Sequence, residues 1–360
     1  MHIMKKNKSL LFLIAALPFA GCSTELEVNA PYEDITVVYG LMDASEPIQY
    51  IKINKAFLGE GDALVYAQIP DSNEYSGEAI EHARVHRVED GQITATFDLQ
   101  DTVIDRDPGV FYSPHRLYYF LETFIDTINA GQPYAQPIYL DQNAEYELDL
   151  KVKGSQLSAR TTVVNNFTFH SVTLAAAVTF RNSAGYTPYT FRWNSGLDGK
   201  RYEASWRFHY SEVSGSDTIR KSIEQRIGQV TATNSQSSQG MELVIQGEDF
   251  FRTVGERVAA QSSNNVSQRI FTGLEFVIAV ANDEFHTILT LSEPISGIVE
   301  ERPAYSNVQN GHGIFASRFS GSIMKELNSF SGIELRNGTY TGDLLFCVDY
   351  PDDGVPIMCD

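Results

Sequence analysis

Apolar and polar residues alternate with a period of two along much of the chain, the pattern of strands with one buried and one wet face. In the stretch YELDLKV, Tyr146, Leu148, Leu150 and Val152 fall on one side while Glu147, Asp149 and Lys151 fall on the other, and after Gly154 the chain returns through LSARTTVV. In ITATFDL, Ile93, Ala95, Phe97 and Leu99 alternate with Thr94, Thr96 and Asp98, and Asp90-Gly91 supplies a tight turn back to ARVHRV. These two hairpins, with the strands suggested by ITVVYGLM and IQYIKINKAFL, predict an antiparallel β-sandwich over residues 34–165. Tyr146, near the start of its strand, resembles the tyrosine corner of immunoglobulin-like folds.

From residue 166 to 360 the pattern is less regular and predicts a second β-rich domain with a few helices. YEASWRFHY places Tyr202, Ala204, Trp206, Phe208 and Tyr210 on one face, and LEFVIAVA, apolar on both faces except at Glu275, reads as a central strand. Helices are expected in EDFFRTVGERVAAQ, from the stripe Phe250, Phe251, Val254 and Val258, and in SIMKELNSF, with Ser322 as cap and Ile323 and Leu327 as stripe. VTATNSQSSQG reads as an exposed loop. The whole is expected to be mainly β.

The first 33 residues follow a different logic. Lys5, Lys6 and Lys8 precede an apolar run from Leu10 to Ala20, too short to span a bilayer but laid out as a secretory signal. It ends at Ala20-Gly21-Cys22, the small-small-Cys pattern at which a lipoprotein signal is cut after the thiol is acylated. On this reading residues 1–21 are a signal peptide, Cys22 carries lipid, and 22–33 is a linker tethering the folded part to a membrane. An ordinary cleaved signal is the alternative.

Charge narrows the partners. The chain has 27 basic and 46 acidic residues, a formal charge of −19, and loss of the three signal lysines brings it to −22. Such a balance opposes nucleic acid. In an oxidising compartment Cys347 and Cys359 are placed to close a short loop, worth about 3 kcal/mol in the chain-entropy model, with two free thiols as the alternative.

No segment calls for a cofactor, and Asp105 and Asp107 in DRDPG and Asp349, Asp352 and Asp353 in DYPDDG read as acidic turns, with a weakly bound calcium ion as the alternative. The chain lacks G-x-S-x-G, H-E-x-x-H, a phosphate-binding G-x-x-x-x-G-K-[ST] and an EF-hand loop. His82 and His86 share a strand face with Arg84, whose guanidinium opposes a cation, and Ser322 with Lys325 matches only two positions of a Ser-x-x-Lys pattern without its companion motifs. The aromatic stripe from Tyr202 to Tyr210 fits a core better than a sugar platform, because a strand must bury one side. Two loops are unusually aromatic: DPGVFYSPHRLYYF, with Phe111, Tyr112, Tyr118, Tyr119 and Phe120, and AGQPYAQPIYL, with Tyr134 and Tyr139. All of these but Phe120 are the candidate partner-binding residues, the alternative being that the rings plug the open end of the sandwich.

Two stretches carry a family likeness. ITVVYGLMDASEPIQYIKINKAFLGEGDA and YSNVQNGHGIFASRF resemble the two ends of a family of outer-membrane lipoproteins of Bacteroidota, of unknown function and often encoded beside TonB-dependent receptors. His312 departs from the apolar residue the family pattern has between the glycines. The resemblance implies outer-membrane attachment, a surface location, an immunoglobulin-like first domain and no site residues. Together these features point to a non-enzymatic lipoprotein that binds a partner in a receptor or secretion complex, against a glycan-acting envelope hydrolase or a purely structural envelope protein.

Overall fold

A computed structural model describes residues 35–347, apart from 57–61, 106, 124, 176, 235 and 294–303. Cys22 and Cys359, and with them the lipid attachment and the cysteine pairing, lie outside the described residues, as do the signal and linker.

The strands that build the core come in two sets. The first half supplies β1 (Ile35–Asp43), β2 (Ile48–Ala56), β3 (Ile80–Glu89), β4 (Gln92–Asp98), β5 (Gln100–Ile104), β6 (His115–Leu121), β7 (Glu145–Val152) and β8 (Ser155–Thr162). The second supplies β9 (Tyr189–Asn194), β10 (Arg201–Ser214), β11 (Asp217–Thr231), β12 (Gly240–Ile245), β13 (Gln268–Ala281), β14 (His312–Lys325) and the short β15 (Phe346–Cys347). Helices α1 (Ala63–Ala67), α2 (Gly247–Ala260), α3 (Asp283–Ser292) and α4 (Ser329–Asn337) sit between them. The fold is mainly β.

Both predicted hairpins form. Asp90 and Gly91, and Lys153 and Gly154, all have positive φ, the backbone that a two-residue hairpin turn requires. Tyr146 behaves as the corner reading implies: it is fully buried and its hydroxyl accepts from the Asp141 N–H 3.0 Å away, five residues upstream, while donating to Glu122.

The boundary expected at 165/166 does not separate two sheets. One nine-stranded sheet runs β11-β10-β13-β14-β1-β2-β6-β5, with β15 beside β13, so strands from both halves share one hydrogen-bonded surface. The seam is the pairing of β1 with β14, parallel from Val37 against His312 to Asp43 against Arg318. Glycine makes it possible: Gly313 has φ +110°, and a Cβ there would stand 1.9 Å from the Val38 carbonyl oxygen. A four-stranded sheet β8-β7-β3-β4 covers the inner face of the first-half strands, with Phe97 of β4 stacked on Phe120 of β6 at 5.0 Å. A smaller sheet containing β9 and β12, together with α2, covers the second-half strands; Phe191 stacks on Phe276 at 4.6 Å and Trp206 meets Phe250 at 5.1 Å. The stripe Tyr202, Trp206, Phe208 and Tyr210 is therefore core.

Two further expectations are corrected. SIMKEL is not helical: β14 runs through Lys325, and the helix starts after Asn328, whose side chain accepts from the Ser331 N–H. Lys325, Ile323 and Leu327 are all buried, and the Lys325 ammonium donates to the Leu174 carbonyl at 3.0 Å. That buried lysine breaks the apolar alternation by which the strand would have been read. The other correction is one of bounds: in VTATNSQSSQG the described residues of 232–239 lie between strands as expected, but Val230 and Thr231 still belong to β11 and Gly240 to β12.

Candidate binding face

Inner residues of the nine-stranded sheet are covered by the two smaller layers, whereas among the described residues its outer face carries, at the end where Val37 pairs with Asn54, the segment that follows α1, and otherwise α3. Two grooves open there on either side of this helix, with Phe285 and Arg318 lining both.

The first groove, 570 Å³, is polar. Its floor is made of short side chains, Ser205, Val277, Ala279, Ser320 and Ser322, which leave a depression between longer neighbours. The walls hold Arg201, Arg207, Arg226 and Arg318, each neutralised. Arg207 Nε donates to Glu224 at 2.9 Å, Arg226 Nε lies 2.8 Å from Glu203, Arg201 Nη1 donates to Glu293 at 2.8 Å, and Arg318 Nε donates to Asp43 at 2.8 Å. Glu275 collects Arg207 at 3.7 Å and His209 at 3.0 Å.

The carboxyls of this groove are shifted away from what a glycosidase's proton donor needs. Burial raises the Glu275 carboxyl, but hydrogen bonds from Ser322 and His209 outweigh it and hold it below the usual range; Glu224 is lowered by its hydrogen bond to Arg207. A glycosidase needs one carboxyl raised so that it can donate a proton, and neither of these is. Glu275 is bonded to both Ser322 and His209, so the carboxylate stands where a general base would have to meet the hydroxyl. Ser322 and Lys325 project to opposite faces of β14, paired with outer Val277 and inner Leu274 respectively, so the Ser-x-x-Lys spacing has no chemical meaning.

The second groove, 720 Å³, is aromatic and aliphatic. Tyr39 and Leu41 of β1, Ile48, Tyr50 and Lys52 of β2, Leu117 of β6 and Ile314 of β14 line it. Tyr39 is 51% exposed, Tyr50 43% and Leu121 55%. Register places Tyr50 opposite Tyr119, their rings 6.1 Å apart, and the Tyr119 hydroxyl donates to Gln100.

The six aromatic residues chosen from sequence do not form one surface. Tyr118 and Phe120 are core, because HRLYYFL is strand β6 rather than loop and its even positions point inward. Burial pushes the Tyr118 hydroxyl up. Tyr119, between them, lies on the outer face. Tyr134 packs edge-on against Phe169 at 5.0 Å and fills the core margin. Tyr139 is half-buried, with its N–H bonded to the Ala44 carbonyl. Phe111 is 53% exposed and Tyr112 half-buried, both beside α1 at a third groove that also takes in Val37, Tyr39 and Ala56. Sequence reasoning missed Tyr39 and Tyr50, whose strands alternate imperfectly because both faces carry large side chains.

Elsewhere, His82 and His86 of β3 approach the same carboxylate, Asp149, at 3.0 and 3.5 Å, and Arg84 is drawn off to Asp98. Among the described residues no group of three or more His, Cys, Asp or Glu side chains is arranged to hold a metal ion, and no helix is long and apolar enough to cross a membrane.

No protein-family model matches the chain, and no curated protein matches it. Among solved structures, it is similar to the C-terminal globular domain of an oligosaccharyltransferase from Pyrococcus abyssi at 9% identity and a TM-score of 0.26, covering 69% of this chain and 46% of that one. The chain thus spans less than half of that structure, and at this level neither fold nor function transfers.

Proposed function

We propose that this chain is an outer-membrane lipoprotein, anchored through Cys22 and displayed at the cell surface, with a non-enzymatic binding role as accessory to a receptor or secretion complex. The observation that carries the reading is the outer face of the nine-stranded sheet, where Tyr39, Tyr50 and Tyr119 stand on three adjacent strands with no covering layer among the described residues. Large rings on a rigid sheet bring contact area at low entropic cost, and tyrosine is a residue of interface centres. The rival reading, a glycosidase, would need a carboxyl raised to donate a proton, whereas Glu275 and Glu224 are both lowered.

A photo-crosslinking residue at Tyr50, in cells, tests the proposal, with one at Ile219 on the edge strand β11 as control. A discrete crosslink at Tyr50, lost in Tyr39→Ser/Tyr119→Ser while the melting temperature holds, supports it. Turnover of a glycan panel that Glu275→Gln abolishes would replace it with the hydrolase. Attachment is tested separately by labelling with a lipid precursor, which Cys22→Ala removes.

A further inference from the structure

Next to the point where the described chain begins is a second apolar surface, which adjoins the sheet face at Tyr39 and Lys52. Leu64 is 61% exposed, Val65 58%, Ile69 41%, Val110 51% and Phe111 53%. The first three belong to α1 and the residue pair after it; the last two belong to the loop that precedes β6.

The two segments are tied into one unit. Asp62 caps α1 by accepting from the Leu64 N–H at 2.8 Å, Gln68 donates to the Gly109 carbonyl at 3.1 Å and also to that of Val110, and the Tyr112 N–H donates to the Ala67 carbonyl at 2.9 Å. Asn73 ties the back of α1 through the Tyr66, Ala67 and Ile69 carbonyls. The backbone polar groups are thus spent internally while the apolar side chains point out, the reverse of what a solvent-facing helix and loop should show.

Position says what covers them. Ala67 and Phe111 line one groove with Val37 and Ala56, and Ala56 pairs with Ile35, the first described residue. The segment from Cys22 to Ile35 extends at most about 45 Å. A chain held by lipid at Cys22 therefore has this apolar cluster within reach of the bilayer, on the side where the tether enters the fold.

We infer that α1 and the Val110–Tyr112 loop form a membrane-contacting tip, whose Leu64, Val65, Ile69, Val110 and Phe111 side chains enter the boundary between headgroups and acyl chains. This rests on the lipid-anchor reading for its geometry, but the tip binds lipid by itself. A lone diacyl anchor leaves the folded part free to tumble; a second, apolar contact fixes which way it faces. Lys52 and Lys55 line the groove beside Phe111, but the α1 and loop segments themselves carry Asp62, Asp71 and Asp107 and the chain as a whole is strongly acidic, so the surface the cluster takes is of zwitterionic lipid, held by apolar burial and not by charge.

The test uses the mature chain, residues 22–360, carrying Cys22→Ser and so neither signal nor lipid. It should float with phosphatidylethanolamine–phosphatidylcholine vesicles, unaffected by 0.5 M salt, and bind them better than vesicles rich in phosphatidylglycerol. Leu64→Ser/Phe111→Ser should reduce the bound fraction at least tenfold with the melting temperature unchanged. No flotation of the parent, or equal flotation of the double variant, overturns the inference, and so does a double variant that keeps its lipid binding while losing a protein crosslink. Failure of the anchor reading shows itself elsewhere, as absence of lipid label at Cys22 in cells, and leaves flotation of the unacylated chain as an independent result.

Discussion

Glu212 lies 1% exposed among three donors: Arg269 at 2.9 Å, Lys221 at 2.6 Å and the Ser263 N–H at 3.1 Å. Burial by itself would raise its carboxyl; the hydrogen bonds from Lys221, Ser263 and Arg269 overcome that and bring it down to about 2. A depressed carboxylate contributes stability that is complete above its unfolded value near 4.5 and is lost as pH falls towards about 2. The melting temperature should therefore drop through that window, and Glu212→Gln should flatten the drop while costing about 3–5 kcal/mol at neutral pH, because Arg269 and Lys221 are then left without a counter-charge. Acid titration followed by circular dichroism checks both. Gly313→Ala is the other single-residue test: its Cβ meets the Val38 carbonyl and its φ is positive, so a loss of about 3 kcal/mol or more is expected in a denaturant melt. Neither role was visible in the sequence. Glu212 simply continues the inward positions of β10 beyond Tyr210, and for Gly313 a glycine needed for close approach has the same letters around it as one needed for a bend.

Strand β6 shows how far an element can be read from its pattern. Tyr118 and Tyr119 are neighbours in sequence and face opposite sides of one sheet, the first at 6% exposure, the second on the outer face beside Tyr50. Tyr118→Ser should cost about 3–4 kcal/mol, on the scale of an aromatic removed from a core, and Tyr119→Ser under about 1 kcal/mol. Paired urea melts measure the difference, and equal costs would mean that the outer face is covered. The hairpins β3–β4 and β7–β8 and the helix α2 were legible because polar positions marked their wet faces and turn residues their ends. For β6 no polar face exists: apolar side chains serve the core on one side and the open groove on the other, so HRLYYFL carries no period at all.

At the scale of the molecule, the sheet that joins the halves is what sequence could not disclose. The pairing of β1 with β14 joins residues about 275 positions apart, and nothing local to either strand records it. The fragment 34–165 should accordingly fail to fold alone, since β1 would expose to water the whole edge that β14 occupies, whereas the full chain should melt in one transition. Limited proteolysis with calorimetry distinguishes this from two independent domains. Cys347 is buried in β15 at the other end of the same sheet. A bridge to Cys359 would hold the chain to that edge, and titration of the unfolded, unreduced protein should then find no free thiol; two thiols would remove the bridge.

The seam between β1 and β14 also sets a schedule. A polypeptide threaded through a secretion channel emerges from its N-terminal end, so β1 arrives early and waits for nearly three hundred further residues before its neighbour exists. Through that interval β1 presents an open row of amides and carbonyls. If the chain is exported as proposed, a holdase acting on the first half is expected, and slowing the appearance of residues 312–325, by a rare-codon run placed just upstream of them, should lengthen the holdase-bound phase while changes downstream of β14 should not.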